Sequence, residues 1–223
     1  MSNYWGFVCR TCDDYDATSD RINHGEDTLI AMARGGVADA ASAPVGEVPP
    51  PAPTGGEVPT YATRIPAAAT LNYDLRRGAI GGHGTLEWRP GPEGYEMSIE
   101  GQVFGISVLS WRSRGGFDAA GLAPQRFVDS RRGRDVRAAN FQREAGKITF
   151  SGTEIEYPLV GGAQDRLSWM LQLAAVLEAD PTRRATGEKV SMFVAGARGD
   201  GDVWTFGVVG EEELRLPGLL VPR

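Results

Sequence analysis

The chain has 223 residues, a formal net charge of −6, thirty glycines, fourteen prolines and two cysteines. That length holds one substantial domain with an appendage, or two small ones, and the acidic balance gives no overall electrostatic case for nucleic acid or an anionic membrane. Two cysteines cannot build a disulfide framework. No apolar run reaches the roughly eighteen residues of a spanning helix, and glycine at about twice its usual ~7% points to many short strands joined by tight turns.

Residues 1–36 form a distinct opening. The stretch Met1 to Thr18 lacks a basic region followed by an apolar one, so it does not read as a secretory signal; taken literally, the polypeptide stays in the cytoplasm. A short strand at Tyr4–Val8, a knuckle at Cys9-Arg10-Thr11-Cys12 and a short helix carrying Leu29, Ile30, Met32 and Ala33 fit the order of residues. So short a segment buries too little surface to fold alone without a metal or a partner. Cys9 and Cys12 have the spacing of a zinc half-site, and His24 in a glycine-flanked turn supplies a third candidate ligand. The fourth would come from Asp13, Asp14, Asp27 or a second chain. A redox pair and two ordinary cysteines are the other readings of the same spacing.

Residues 37–62 change to Ala, Gly, Val and Pro. Pro44, Pro49, Pro50, Pro51, Pro53 and Pro59 favour an extended linker without ladder hydrogen bonds. The main domain is expected over 63–223. Leu71, Tyr73 and Leu75 alternate with Asn72, Asp74 and Arg76, the pattern of a half-buried strand. Further strands are predicted at Leu86–Trp88, Tyr95–Glu100, Val103–Arg112, Arg126–Asp129, Ala138–Arg143, Lys147–Ser151, Glu154–Tyr157, Lys189–Ala197, Asp202–Val209 and Glu213–Leu216.

One segment reads as a long helix. Leu167, Met170, Leu171, Ala174 and Leu177 share one face, and Trp169, Leu173 and Val176 widen it until little polar surface remains. Asp165 is the expected N-cap, and Asp180-Pro181 the stop. The predicted fold is therefore mainly β with one long helix: a curved antiparallel sheet or open β-barrel packed on that helix.

From 59 to 210 the chain resembles the domain of unknown function 3108 family of bacterial envelope proteins. The residues that carry this are Ala69-Thr70-Leu71-Asn72-Tyr73-Asp74-Leu75-Arg76-Arg77-Gly78, Gly84-Thr85-Leu86-Glu87-Trp88 and Gly121-Leu122-Ala123-Pro124-Gln125-Arg126-Phe127. They continue with Ala139-Asn140-Phe141, Ile148-Thr149-Phe150-Ser151, Gln164-Asp165-Arg166-Leu167-Ser168 and Val203-Trp204-Thr205-Phe206. The resemblance implies a periplasmic or membrane-anchored β-rich protein with no established activity. It also implies an anchor or signal where this chain has its cysteines, and a closing hairpin past its end, so the sheet is expected to be incomplete at the C-terminus.

Three constellations remain. Asp165, Ser168 and His83 are the residue types of a hydrolytic triad, but no Gly-x-Ser-x-Gly surrounds Ser168, and no catalytic residue is assigned. Arg126, Arg131, Arg132, Arg134, Arg137 and Arg143 form a basic cluster, of which Arg131, Arg132 and Arg134 are candidates for an anion or lipid headgroup; a charge-rich hairpin turn is the commoner explanation of such a cluster. Trp88, Trp111, Phe141, Phe150, Trp169, Phe193, Trp204 and Phe206 either fill a core or line a cavity for an apolar or amphiphilic ligand. The expected function is a non-enzymatic envelope-type domain that binds an amphiphile, such as a lipid, or scaffolds a protein partner. A zinc-stabilised interaction module at the N-terminus and a serine hydrolase are the alternatives.

Overall fold

The computed structural model describes residues 8–9, 58–77, 80–131 and 135–210. The opening helix, Cys12, His24, Arg132, Arg134 and the strand expected at Glu213–Leu216 lie outside them.

Eight strands run as an antiparallel meander in sequence order: β2 (Ala69–Arg77), β3 (Ile80–Gly91), β4 (Gly94–Val103), β5 (Ile106–Asp118), β6 (Gly121–Arg131), β7 (Asp135–Gln142), β8 (Lys147–Phe150) and β9 (Thr153–Pro158). A second sheet takes the order β1 (Val8–Cys9), β12 (Gly201–Gly207), β11 (Lys189–Ala195), β10 (Gln164–Asp165), with β10 and β11 parallel. The protein is thus mainly β with one α-helix among the described residues, α1 (Trp169–Ala179). The large sheet ends at β2 and β9 and does not close into a barrel.

The strands form where period-two patterning predicts them, with one correction. The strand expected over Val103–Arg112 is interrupted at its start by a two-residue hairpin turn, Phe104-Gly105, with Val103 pairing Ile106. Phe104 (φ 52) and Gly105 (φ 73) both take positive φ, the signature of a type I′ turn. The bulge in this pair falls at Gly101/Gln102.

The helix is buried nearly all round, as its composition requires, yet its most buried face is not the one predicted. Trp169, Gln172, Leu173 and Val176 are buried, while Met170, Leu171 and Ala174 are half-buried. The reason is that the helix touches two cores. Trp169, Leu173, Val176 and Leu177 pack with Val190, Met192, Val194 and Phe206 of the small sheet. Leu167, with Met170 and Leu171 at its margin, joins the core under the large sheet. Helix capping also shifts: the N-cap is Ser168, and Asp165 lies upstream in β10.

The extended stretch before β2 is tied across the molecule. Arg64 N–H donates to the Ala175 carbonyl at 2.9 Å, Ser191 N–H donates to the Tyr61 hydroxyl at 2.9 Å, and the Trp88 indole donates to the Pro66 carbonyl at 3.1 Å. These bonds pin 61–66 to the helix, the small sheet and the large sheet in turn.

Candidate functional site

The inner face of the large sheet is core. Leu86, Trp88, Tyr95, Met97, Ile99, Trp111, Phe127, Phe141, Ile148 and Phe150 are buried in one cluster. Phe193 joins it, while Trp169, Phe206 and the half-buried Trp204 belong to the second cluster. The eight aromatic residues singled out as cavity-lining candidates are therefore divided between two cores, and several stack on other rings. Trp169 lies 4.7 Å from Phe206 between ring centroids, Trp111 meets Phe127 edge-on at 5.8 Å, and Phe150 meets Tyr157 edge-on at 5.9 Å. The indole N–H groups of Trp111 and Trp169 are buried with no hydrogen-bond partner among the described residues.

Between the two sheets sits a buried polar cluster. Ser113 Oγ donates to Asp165 Oδ2 at 2.5 Å, and the Tyr95 hydroxyl lies 3.0 Å from Ser113 Oγ. Asp165 Oδ1 accepts the amides of Leu167 and Ser168, each at 2.8 Å. Burial raises the Asp165 pKa to about 6, with the hydrogen bonds from Ser113, Ser168 and Leu167 pulling the other way. Burial, and then the charge on Asp165, push the Tyr95 hydroxyl well above its ordinary value. Two glutamines complete the tie. Gln164 Nε2 donates to the Leu122 carbonyl at 2.8 Å, and Gln172 accepts from Leu122 N–H at 2.9 Å while donating to the Ala120 carbonyl at 2.6 Å. A side chain on Gly121 (φ 106) would meet Gln172 Oε1 at 2.5 Å, so glycine is required there on both counts.

The three triad residue types do not come together. Ser168 is fully buried, and its Oγ accepts the Asp165 amide at 2.9 Å. His83 is exposed and paired with Asp74 at 3.0 Å. Its cross-strand neighbour Gln102 stands five residues along β4 from Met97, the neighbour of Ser113, a separation of roughly 17 Å.

The basic cluster is likewise spread out. Arg126 bonds Asn140, Arg143 bonds Asp118 and the Pro124 carbonyl, and Arg131 stands at the far end of β6. Cys9 ends β1, paired with Phe206, while its two companion candidate ligands lie outside the described residues. Among the described residues, no three His, Cys, Asp or Glu side chains gather closely enough to hold a metal ion, and no helix is long and apolar enough to cross a membrane.

What the structure does assemble is an open groove of about 660 Å³ on the outer face of the large sheet. Thr85, Glu87 and Arg89 from β3, Glu96, Ser98 and Glu100 from β4, Arg112 and Arg114 from β5, and Arg126 and Val128 from β6 line it. Register sets these side chains in rows across the strands: Arg89–Glu96–Arg114–Arg126, then Glu87–Ser98–Arg112–Val128. Glu87 pairs with Arg89 at 2.7 Å, and Glu100 with Arg112 at 3.3 Å. Arg114 and Arg126 face each other directly on neighbouring strands, an arrangement of like charges that costs stability when nothing lies between. Of this set, only Arg126 stood out in the sequence. The signal for the rest was present: Thr85, Glu87 and Arg89, then Glu96, Ser98 and Glu100, are the polar halves of alternating strands.

The architecture defines a two-sheet β-rich domain with a charged outer groove. Residues 72–221 match the family model described as "Protein of unknown function (DUF3108)". The match spans more than half of the chain, and the protein belongs to that family. No curated protein and no solved structure matches the chain.

Proposed function

We propose that the protein is a non-catalytic binding domain of the envelope type, which takes an acidic group of an amphiphile or partner on the outer groove of its large sheet. The observation that carries this reading is the direct juxtaposition of Arg114 and Arg126 in an open groove. An anionic oxygen between two guanidinium groups relieves their repulsion and makes charge-assisted hydrogen bonds worth about 1.5–3 kcal/mol each. Glu96 beside Arg114 and Asn140 beside Arg126 limit what fits to a compact acidic head.

The packing of the aromatic side chains into two cores favours this outer surface over an aromatic-lined interior. The envelope setting rests on the family resemblance.

Isothermal titration of the full chain with dodecyl phosphate tests the reading. The wild type should bind, and the Arg114→Ser/Arg126→Ser variant should lose about tenfold or more in affinity while its circular dichroism spectrum is unchanged. Equal affinity in both proteins would overturn it.

A further inference from the structure

We propose that the outer groove reads the phosphoethanolamine head of an amphiphile, with the phosphate on Arg114 and Arg126 and the primary ammonium on Glu96; this deepens the proposed function and rests on it. Four guanidinium groups and three carboxylates line the groove. Two pairs are closed within it, Arg89 with Glu87 at 2.7 Å and Arg112 with Glu100 at 3.3 Å. What is left over is one row across three neighbouring strands: Glu96 on β4, Arg114 on β5 and Arg126 on β6.

The charges of that row are uncompensated. Arg126 is held by a neutral partner, the side-chain oxygen of Asn140. Arg89, on the far side of Glu96, is engaged by Glu87 instead. Neither the Glu96 nor the Arg114 side chain, both exposed, makes a hydrogen bond or ion pair among the described residues.

The order of these charges selects the ligand. Neighbouring strands lie ~4.8 Å apart, so the carboxylate stands about one strand spacing from the first of two guanidinium groups. A plain anion over Arg114 and Arg126 has the Glu96 carboxylate beside it, and that contact is repulsive. A head with its cation one two-carbon bridge from its phosphate satisfies all three side chains at once. Direct pairing of Glu96 with Arg114 competes only weakly, because ion pairs between exposed side chains are worth little. The chemistry of the lining also chooses the cation. Among the described residues no aromatic side chain lines the groove, whereas quaternary ammonium is recognised by aromatic faces. A carboxylate instead takes N–H donors, which a primary ammonium offers.

Isothermal titration of the full chain with three esters that share one dodecyl chain tests this: dodecyl phosphate, aminoethyl dodecyl phosphate and dodecylphosphocholine, each below its micelle concentration. The wild type should bind the aminoethyl ester about fivefold more tightly than dodecylphosphocholine. Glu96→Gln should erase that preference and raise the affinity for dodecyl phosphate, a change of opposite sign that mere damage to the groove does not produce. Equal affinity of the wild type for the two diesters, or a preference that survives Glu96→Gln, overturns this inference while leaving the binding of dodecyl phosphate by Arg114 and Arg126 standing. If dodecyl phosphate does not bind, or binds equally to Arg114→Ser/Arg126→Ser, the underlying reading falls and this one with it. Free phosphoethanolamine separates the two sources of the head. It should bind more weakly than the aminoethyl ester, with the same dependence on Glu96; equal affinity would overturn the amphiphile as the occupant in favour of a soluble phosphate ester.

Discussion

Along β4, Tyr95, Met97 and Ile99 are buried in the core, while Glu96, Ser98 and Glu100, each one residue further on, line the outer groove. The same alternation runs through β3, where Leu86 and Trp88 are buried and Thr85, Glu87 and Arg89 are not. One backbone thus carries two surfaces with different energetics. Each large side chain on the inner face contributes roughly 1.5–3 kcal/mol by leaving water. The ion pairs on the outer face involve side chains 38% to 70% exposed, and pairs of that kind contribute about 0–1 kcal/mol. The comparison teaches that the outer charges do little for folding, which leaves them available for recognition.

The largest break in this division should come from the inner face. Trp88→Ala removes a buried indole and its bond to the Pro66 carbonyl, and is expected to cost about 3–5 kcal/mol in urea denaturation.

Next in size is the buried carboxylate that ties the sheets. Because burial raises the folded pKa of Asp165 to about 6 from its ordinary 3.8, the folded state favours the protonated form. Its contribution is fully present below pH ~4 and is lost as pH rises through ~6. Relative to Asp165→Asn, the wild type should therefore gain on the order of 2–3 kcal/mol between pH ~7 and ~4. Urea midpoints measured across that range for both proteins check the sign.

On the outer face, Arg114→Ser removes one partner of a facing like-charge pair. Stability should be unchanged or raised by about 0.2–1 kcal/mol, even as affinity for an acidic ligand falls. Smallest of all, Arg112→Ala breaks an exposed pair with Glu100 and should move stability by no more than about 0.5 kcal/mol in thermal melts. A large loss there would erase the distinction between the faces.

How far the sequence anticipates this division follows from physical range. Strand alternation is local, so Leu71, Tyr73 and Leu75 or Tyr95, Met97 and Ile99 announce their strands, and the apolar run from Leu167 to Leu177 announces a buried helix. The pairing of strands is not local. Arg114 and Arg126 are brought opposite each other only by the β5–β6 register, with its shift at Arg114/Gly115. The buried face of the helix departs from the predicted one for the same reason: Gln172 is buried by its bonds to Ala120 and Leu122 around the start of β6, partners fifty or so residues away in the chain. Phe104-Gly105 lacks the Asn or Asp that usually marks a type I′ turn, and so reads as strand.

The most direct test of the central claim is where an acidic amphiphile binds, read by chemical-shift mapping of the full chain with dodecyl phosphate. The backbone amides of Glu87, Glu96, Ser98, Arg112, Arg114 and Arg126 should shift, while the buried indole N–H resonances of Trp88, Trp111 and Trp169 stay in place. Shifts confined to those indoles, with the groove amides unmoved, would put the ligand inside the aromatic core and contradict the account.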